Sequence, residues 1–558
     1  MKRSVTRSAR NALLLLAAAA TMALGDAGVE SGDQVREVPV SGMFGDYLAG
    51  RAALQGGNAA DADRLLSAAL PIDPDSPELA SQALLASVLA GKPDAALAEK
   101  LPNILVARLV LIDRDVLAGN WVSAQARAGA LGEDGASQVL RPLLIAWAQA
   151  GAGQPDAALA TLGPYVAGAR FRGVYAMHAG LIADGASRPG DAARFYRIAQ
   201  AEFGQLNLRL GTVLASWQAR LGHPDEAAAL VKATAEAAPD VAIAQDRLVL
   251  ASPEPAVRGA ADGMAEAYLA LAASLGAGQD RGHAGSALLQ LALQLRPDFT
   301  PARIVVADLL GLARQPAPAL AALESVSADD PLAEVVALRR GGLLDDAGRT
   351  EEAVQALRAL AEARPDRPEP VAALGDVQRR AGQFAEAVGS YDKAVAAAVT
   401  PGRATWSLFY ERGVALDRSG DWRRAEADFL HALELSPDQP LVLNYLGYGW
   451  TERGIDLPRA RGMLERAVAL RPEDGAIVDS LGWVLLQMGE TTEATARLER
   501  AAELQPEDPS INGHLGDAYQ AAGRLREAEF QWRRALNLHP DSEDQARIEG
   551  KLRELPAN

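Results

Sequence analysis

Glycine, alanine and proline recur along this chain at a step of about 34 residues, and that step limits what the chain can fold into. Gly413, Gly447, Gly482 and Gly516 stand 34, 35 and 34 residues apart. Pro437, Pro472, Pro506 and Pro540 keep the same rhythm, as do Ala425, Ala460, Ala494 and Ala528. A period in this range predicts an all-α solenoid, a superhelix of stacked helix-turn-helix units. Such a stack is more often a binding surface than a catalyst.

The letters fit that reading. Around Gly482 the first helix carries Leu481, Gly482 and Leu485, and Gly489 ends it where a positive φ is wanted. The second helix carries Ala494, Leu498 and Ala501 on one face. Small residues at Gly482, Ala494 and Ala501 let two helix axes approach; larger ones would overpack. Pro506 closes the second helix. Asp508-Pro509 reads as an N-cap followed by the first position of the next helix. The rhythm runs back through Gly375, Gly341, Ala307 and Ala273, and more faintly to Gly50, for about fourteen units. It breaks between Ala215 and Ala273, around Ser252-Pro253-Glu254-Pro255, and by four residues near Thr400-Pro401-Gly402. The expected organisation is a degenerate array over 43–239, an irregular connection over 240–264 separating two superhelical halves, a regular array over 265–540, and a capping helix and tail over 541–558.

Residues 1–25 read as a cleavable secretory signal. Lys2, Arg3, Arg7 and Arg10 precede an apolar core from Leu13 to Leu24, and Ala23-Leu24-Gly25 has a small-x-small pattern. Residues 26–42 form a polar lead-in. The expected location is therefore the periplasm; a misread start would leave a cytoplasmic scaffold instead. Cleavage would remove four positive charges and no negative ones, taking the net charge from −17 to −21. An acidic body of that kind disfavours nucleic acid and anionic lipid, which need clustered cations. No later segment has the length and apolarity of a membrane span. The chain has no cysteine, which excludes disulfides, thiolate ligands and lipidation on cysteine.

The sequence offers no reactive constellation. His178, His223, His283, His431, His514 and His539 are scattered, with no H-E-x-x-H pair, and are expected on surfaces or in hairpins. There is no phosphate loop and no nucleophile elbow. Gly151-Ala152-Gly153 and Gly276-Ala277-Gly278 read as hairpin turns, and Asp345-Asp346 and Glu351-Glu352 as solvent-facing acids. No catalytic, cofactor-binding or metal-binding residue is expected, and the remote enzyme reading would rest on Asp246, Glu254 and Asp262 in the irregular connection.

The C-terminal units carry a closer resemblance. Val442-Leu443-Asn444-Tyr445-Leu446-Gly447-Tyr448, Ile477-Val478-Asp479-Ser480-Leu481-Gly482-Trp483, His514-Leu515-Gly516-Asp517-Ala518-Tyr519 and Phe530-Gln531-Trp532-Arg533-Arg534-Ala535-Leu536 resemble the tetratricopeptide repeat, TPR. They are similar to exported bacterial TPR proteins and, remotely, to TPR adaptor lipoproteins of periplasmic carboxyl-terminal processing proteases. The resemblance implies a scaffold or adaptor that binds a protein or peptide in its concave groove, in periplasmic proteolysis or envelope assembly. The missing cysteine departs from the lipid-anchored members. In this repeat the first helix lines the groove. Its inward positions here hold Asn444, Tyr448 and Thr451, then Asp479, Trp483 and Leu486, then Gly513, Asp517 and Gln520. Asn444, Tyr448, Asp479, Trp483 and Asp517 are the candidate binding residues. Tyr448 and Trp483 suit either binding anchors or packing between repeats. Trp450, Tyr519 and Trp532 fall on core positions. No lysine lines these helices to clamp a carboxylate.

Overall fold

A computed structural model of the chain describes residues 43–555, apart from 72, 134, 169, 276–278 and 399–404. The expected signal and lead-in, the Gly276-Ala277-Gly278 turn and the break at Thr400-Pro401-Gly402 lie outside the described residues. Among the described residues are thirty α-helices, one 3-10 segment and no strand. Twenty-eight of the helices pair into fourteen antiparallel hairpins. The protein is an α-solenoid.

One hairpin shows why these residues fold this way. Asp474 caps the helix Gly475–Gln487 by accepting from the Ile477 amide at 3.4 Å. Gly489 closes it at φ +80°, and the Gly489 and Glu490 amides donate to the carbonyls of Leu486 and Leu485. The helix Thr491–Leu504 then returns with Ala494, Leu498 and Ala501 fully buried. Gly482 is what brings the two helices together: a Cβ there would lie 2.6 Å from Leu498 Cγ. The same trade of a glycine for a large partner recurs at Gly341 with Leu357, Gly375 with Tyr391, Gly413 with Phe429, Gly447 with Leu464 and Gly516 with Trp532. The 34-residue signal is thus a packing signal. Trp450, Tyr519 and Trp532 are core residues, as their positions imply.

The irregular connection is a 3-10 turn, Pro239–Ala244, and a short helix, Gln245–Ala251. It does not divide the core where the sequence suggests. Instead the next hairpin, Ala260–Leu275 with Gln279–Leu295, folds back into the first half. Ala260–Leu275 packs on Gly135–Gly151 and Arg172–Gly185, and Gln279–Leu295 packs on Pro77–Leu89 and Leu105–Leu117. All four are first helices of their hairpins, so the inserted hairpin fills the inside of the N-terminal turn. One apolar core therefore runs from Leu54 to Val306. The physical reason lies in Ala260–Leu275 itself. Every residue from Asp262 to Leu269 is buried, and a helix covered on all sides belongs inside a fold.

The wall of the solenoid meanwhile passes around this hairpin. Val241, Ile243, Ala244 and Leu248 join a core with Ile304, Ala307, Leu332 and Val335. Arg339 pairs with Asp240 at 2.6 Å, Arg367 pairs with Asp246 at 2.7 Å, and Arg247 donates to the Ala328 carbonyl at 2.7 Å. Further round, Gln315 Nε2 donates to the Gln55 carbonyl at 3.3 Å, which closes the N-terminal turn on itself. From Trp406 onward the hairpins stack on sequence neighbours, whereas Ala333–Asp346 and Pro368–Arg380 also touch Pro239–Ala244. The terminal helix Ser542–Glu554 seals the stack, with Ile548 buried against the last hairpin. No helix among the described residues is long and apolar enough to cross a membrane.

Candidate binding groove

In the C-terminal array first helices touch first helices: Pro440–Glu452 meets Gly475–Gln487, which meets Pro509–Ala521. The second helices make no comparable contact, so the first helices form the shorter, inner wall. Asn444 and Tyr448, Asp479 and Trp483, and His514 and Asp517 sit on these three helices in turn.

Three of the five candidates, Tyr448, Asp479 and Trp483, gather around His514. Its ring lies flat against Trp483, with ring centres 4.3 Å apart and planes 18° apart. Tyr448 is 6.4 Å away on the preceding repeat. His514 Nδ1 shares a hydrogen bond with Asp479 Oδ2 at 2.9 Å. Burial, the largest influence on His514, opposes its charged form. The charge and hydrogen bond of Asp479, joined by the charge of Asp517, outweigh burial and the nearby Arg547, and hold its pKa above the ordinary value. The Trp483 indole N–H donates to Glu452 at 2.5 Å. Burial, together with the charges of Glu452, Asp479 and Asp544, raises the Tyr448 phenol, which stays protonated. Asp479 Oδ1 and Asn444 Oδ1 are buried and accept no hydrogen bond.

Asp517 faces the same way but is engaged from within. Trp532 Nε1 donates to it at 2.9 Å, and Arg547 and Lys551 of the terminal helix reach it at 2.8 and 2.6 Å. His514 was expected on the surface, yet it is only 6% exposed, and His178 is fully buried. The sequence held a weak sign of this. His514 follows Asp479 by 35 residues, as Asp479 follows Asn444, but stands two residues before its glycine where they stand three before theirs. Asp345 is also less solvent-facing than expected, being paired with Arg380 at 2.7 Å.

A cavity of about 630 Å³ lies further along the inner wall, between Pro239–Ala244 and the first helices Pro368–Arg380 and Trp406–Arg418. Leu338, Tyr391, Asp376 and Glu411 line it. Burial raises both Asp376 and Glu411, partly offset at Asp376 by the Tyr391 hydroxyl and at Glu411 by Arg379. The acids of the irregular connection are drawn into separate ion pairs, Asp246 with Arg364 and Arg367, and Asp262 with Arg258 and Arg296. Among the described residues no group of His, Asp or Glu is arranged to hold a metal ion.

Profiles of the tetratricopeptide repeat match residues 372–440, 456–509 and 485–552. A TPR repeat-containing protein of Pseudomonas aeruginosa, PA4667, is 31% identical over 163 residues, which is 28% of this chain and 26% of that protein. The chain thus matches about a quarter of the length of that relative. Among solved structures, the Cut9-Hcn1 hetero-tetramer of the APC/C aligns with 92% of this chain and 97% of its own, at 15% identity and a TM-score of 0.40. A tetratricopeptide repeat protein from Parabacteroides merdae covers 45% of this chain and 96% of its own, at 14% identity and a TM-score of 0.36.

Proposed function

We infer that this chain, whose C-terminal part carries tetratricopeptide repeats, binds a protein or peptide through them. We propose that it is a non-catalytic scaffold, exported to the periplasm, that holds a protein or peptide partner against the inner wall of its C-terminal array, in envelope proteolysis or assembly. The observation that carries the reading is the unpartnered acceptor Asp479 Oδ1 beside the Trp483–His514 stack, with a second, Asn444 Oδ1, on the neighbouring first helix. A buried acceptor without a donor costs about 1–3 kcal/mol, and a partner's backbone N–H recovers it. Asn444 as a whole is half-buried, so rotation of its side chain presents the amide to the groove. Trp483 adds a flat, partly exposed ring of the type that anchors interfaces.

A photocrosslinking residue at Glu452, which is exposed and bonded to Trp483, tests the site in the native host. The control position is Phe530, 63% exposed on a second helix. A discrete adduct from position 452 and none from 530 is the expected outcome. The same adducts from both positions, or none from either, would overturn the groove assignment. N-terminal sequencing of the cellular protein tests export separately: the mature chain is expected to lack residues 1–25, and an intact Met1 removes that part of the proposal.

A further inference from the structure

The inserted hairpin Ala260–Leu275 with Gln279–Leu295 occupies the inner face of the second to fifth hairpins, which is the face that a solenoid of this type offers to ligands. We propose that this inner face is a helix-binding channel, that residues 260–295 are its occupant in cis, and that its partner in trans is a predominantly apolar helix presenting a carboxylate.

Three features of the structure support exchange rather than permanent burial. First, the wall closes without the hairpin. Residues 239–251 pack directly on residues 304–336, so the occupant can leave without opening the stack. Second, the hairpin enters and leaves at one gate. Arg209, on the wall, and Arg296, at the end of the hairpin, both donate to the Ala256 carbonyl, at 2.8 and 3.1 Å, and Ser216 donates to the Glu254 carbonyl at 2.6 Å. Third, the contact is polar and incompletely matched. Asp113 Oδ2 and His178 Nε2 lie buried on the wall with no hydrogen-bond partner, although Asp113 Oδ1 accepts from Tyr268 and His178 Nδ1 accepts from the Trp147 indole. A permanent core fills such positions with apolar side chains.

The same contacts define the ligand. The Arg209 guanidinium grips the fully buried Glu266 carboxylate through Nε at 2.7 and 2.8 Å. Trp147 fills the space where Gly263 lacks a side chain, and any Cβ there collides with the indole. Tyr268 reaches Asp113 at 2.7 Å. The channel therefore reads a helix with a small residue, a carboxylate three positions later and a phenol two positions after that.

The test uses the full chain and a fluorescein-labelled synthetic peptide of residues 260–275. In Gly263→Leu the cis helix no longer fits against Trp147, and the wild-type peptide is expected to bind at least about tenfold more tightly than it does to the unaltered chain. A peptide carrying Glu266→Gln should bind about tenfold more weakly than the wild-type peptide. A folded Gly263→Leu chain that takes neither peptide overturns the proposal. Hydrogen exchange on the unaltered chain decides the matter even if that variant fails to fold. Amides 264–272 are expected to exchange ahead of wall amides 140–148. If the two sets exchange only together, the hairpin is permanent core and the channel does not exist. This proposal is independent of the C-terminal groove, which none of these variants touches.

Discussion

Single residues set the spacing of the helices. Gly482 meets Leu498 at its branched Cγ and at its backbone nitrogen, neither of which is a flexible tip. Gly482→Ala gains up to about 1 kcal/mol of helix propensity. The clash is worth about 1–3 kcal/mol and is expected to win, lowering the urea midpoint. Adding Leu498→Ala should cost less than the sum of the two single changes, because the smaller partner relieves the clash. The two buried histidines act in opposite directions. His514 has a folded pKa above the 6.5 of the unfolded chain, so its stabilisation is fully present below pH 6.5. It is lost as pH rises through the folded value. His514→Gln should therefore flatten the fall in unfolding free energy on the alkaline side of pH 6.5, measured by urea titration at a series of pH values. His178, brought down to about 3 by burial and by the charge of Arg209, behaves the other way. Its stabilisation is present above pH 6.5 and is lost as pH falls from there towards 3.

At the scale of elements, the terminal helix Ser542–Glu554 closes the apolar end of the stack and also holds Asp517 through Arg547 and Lys551. Truncation after residue 540 is expected to uncover the last hairpin and cause self-association, visible as a rise in mass by light scattering. A monomeric truncated chain with unchanged exchange in Pro509–Ala521 would contradict that role. The turns at positive φ and the small residues that let paired helices approach were legible in the sequence, because each depends on residues close in the chain or one period apart; the large partner that each glycine admits was not. The inserted hairpin was not. Ala273 keeps the repeat rhythm, 34 residues before Ala307, whether its hairpin joins the wall or sits inside it. The difference lies in a helix buried on every side and in partners as distant as Asp113 and Tyr268, 155 residues apart. His514 was missed because it stands one place off the row of Asn444 and Asp479.

Across the whole molecule, two kinds of cohesion coexist. The wall of the N-terminal turn is shut by Gln315 on Gln55, so once residues 260–275 have opened it should unfold as one unit. The array beyond Ala333 rests mainly on contacts between neighbouring hairpins, and such arrays fray unit by unit. Denaturation followed by hydrogen exchange is expected to show a graded loss over 333–555 before a single cooperative loss of the N-terminal wall, residues 43–251. Simultaneous loss of both regions would show that the two halves share one cooperative core.

The bond between Gln315 and Gln55 spans 260 residues, and this bears on how the chain is made. A ribosome adding about 5–20 residues per second needs on the order of 13–50 s to cover that interval. For much of that time, until residues 260–295 are made, the hairpins already formed lack the segment that belongs inside them, and their apolar lining is bare to the cell. A newborn chain of this design is thus a client for chaperones until its middle emerges, and a truncated message ending near Gly222 would yield a sticky fragment rather than a small stable protein.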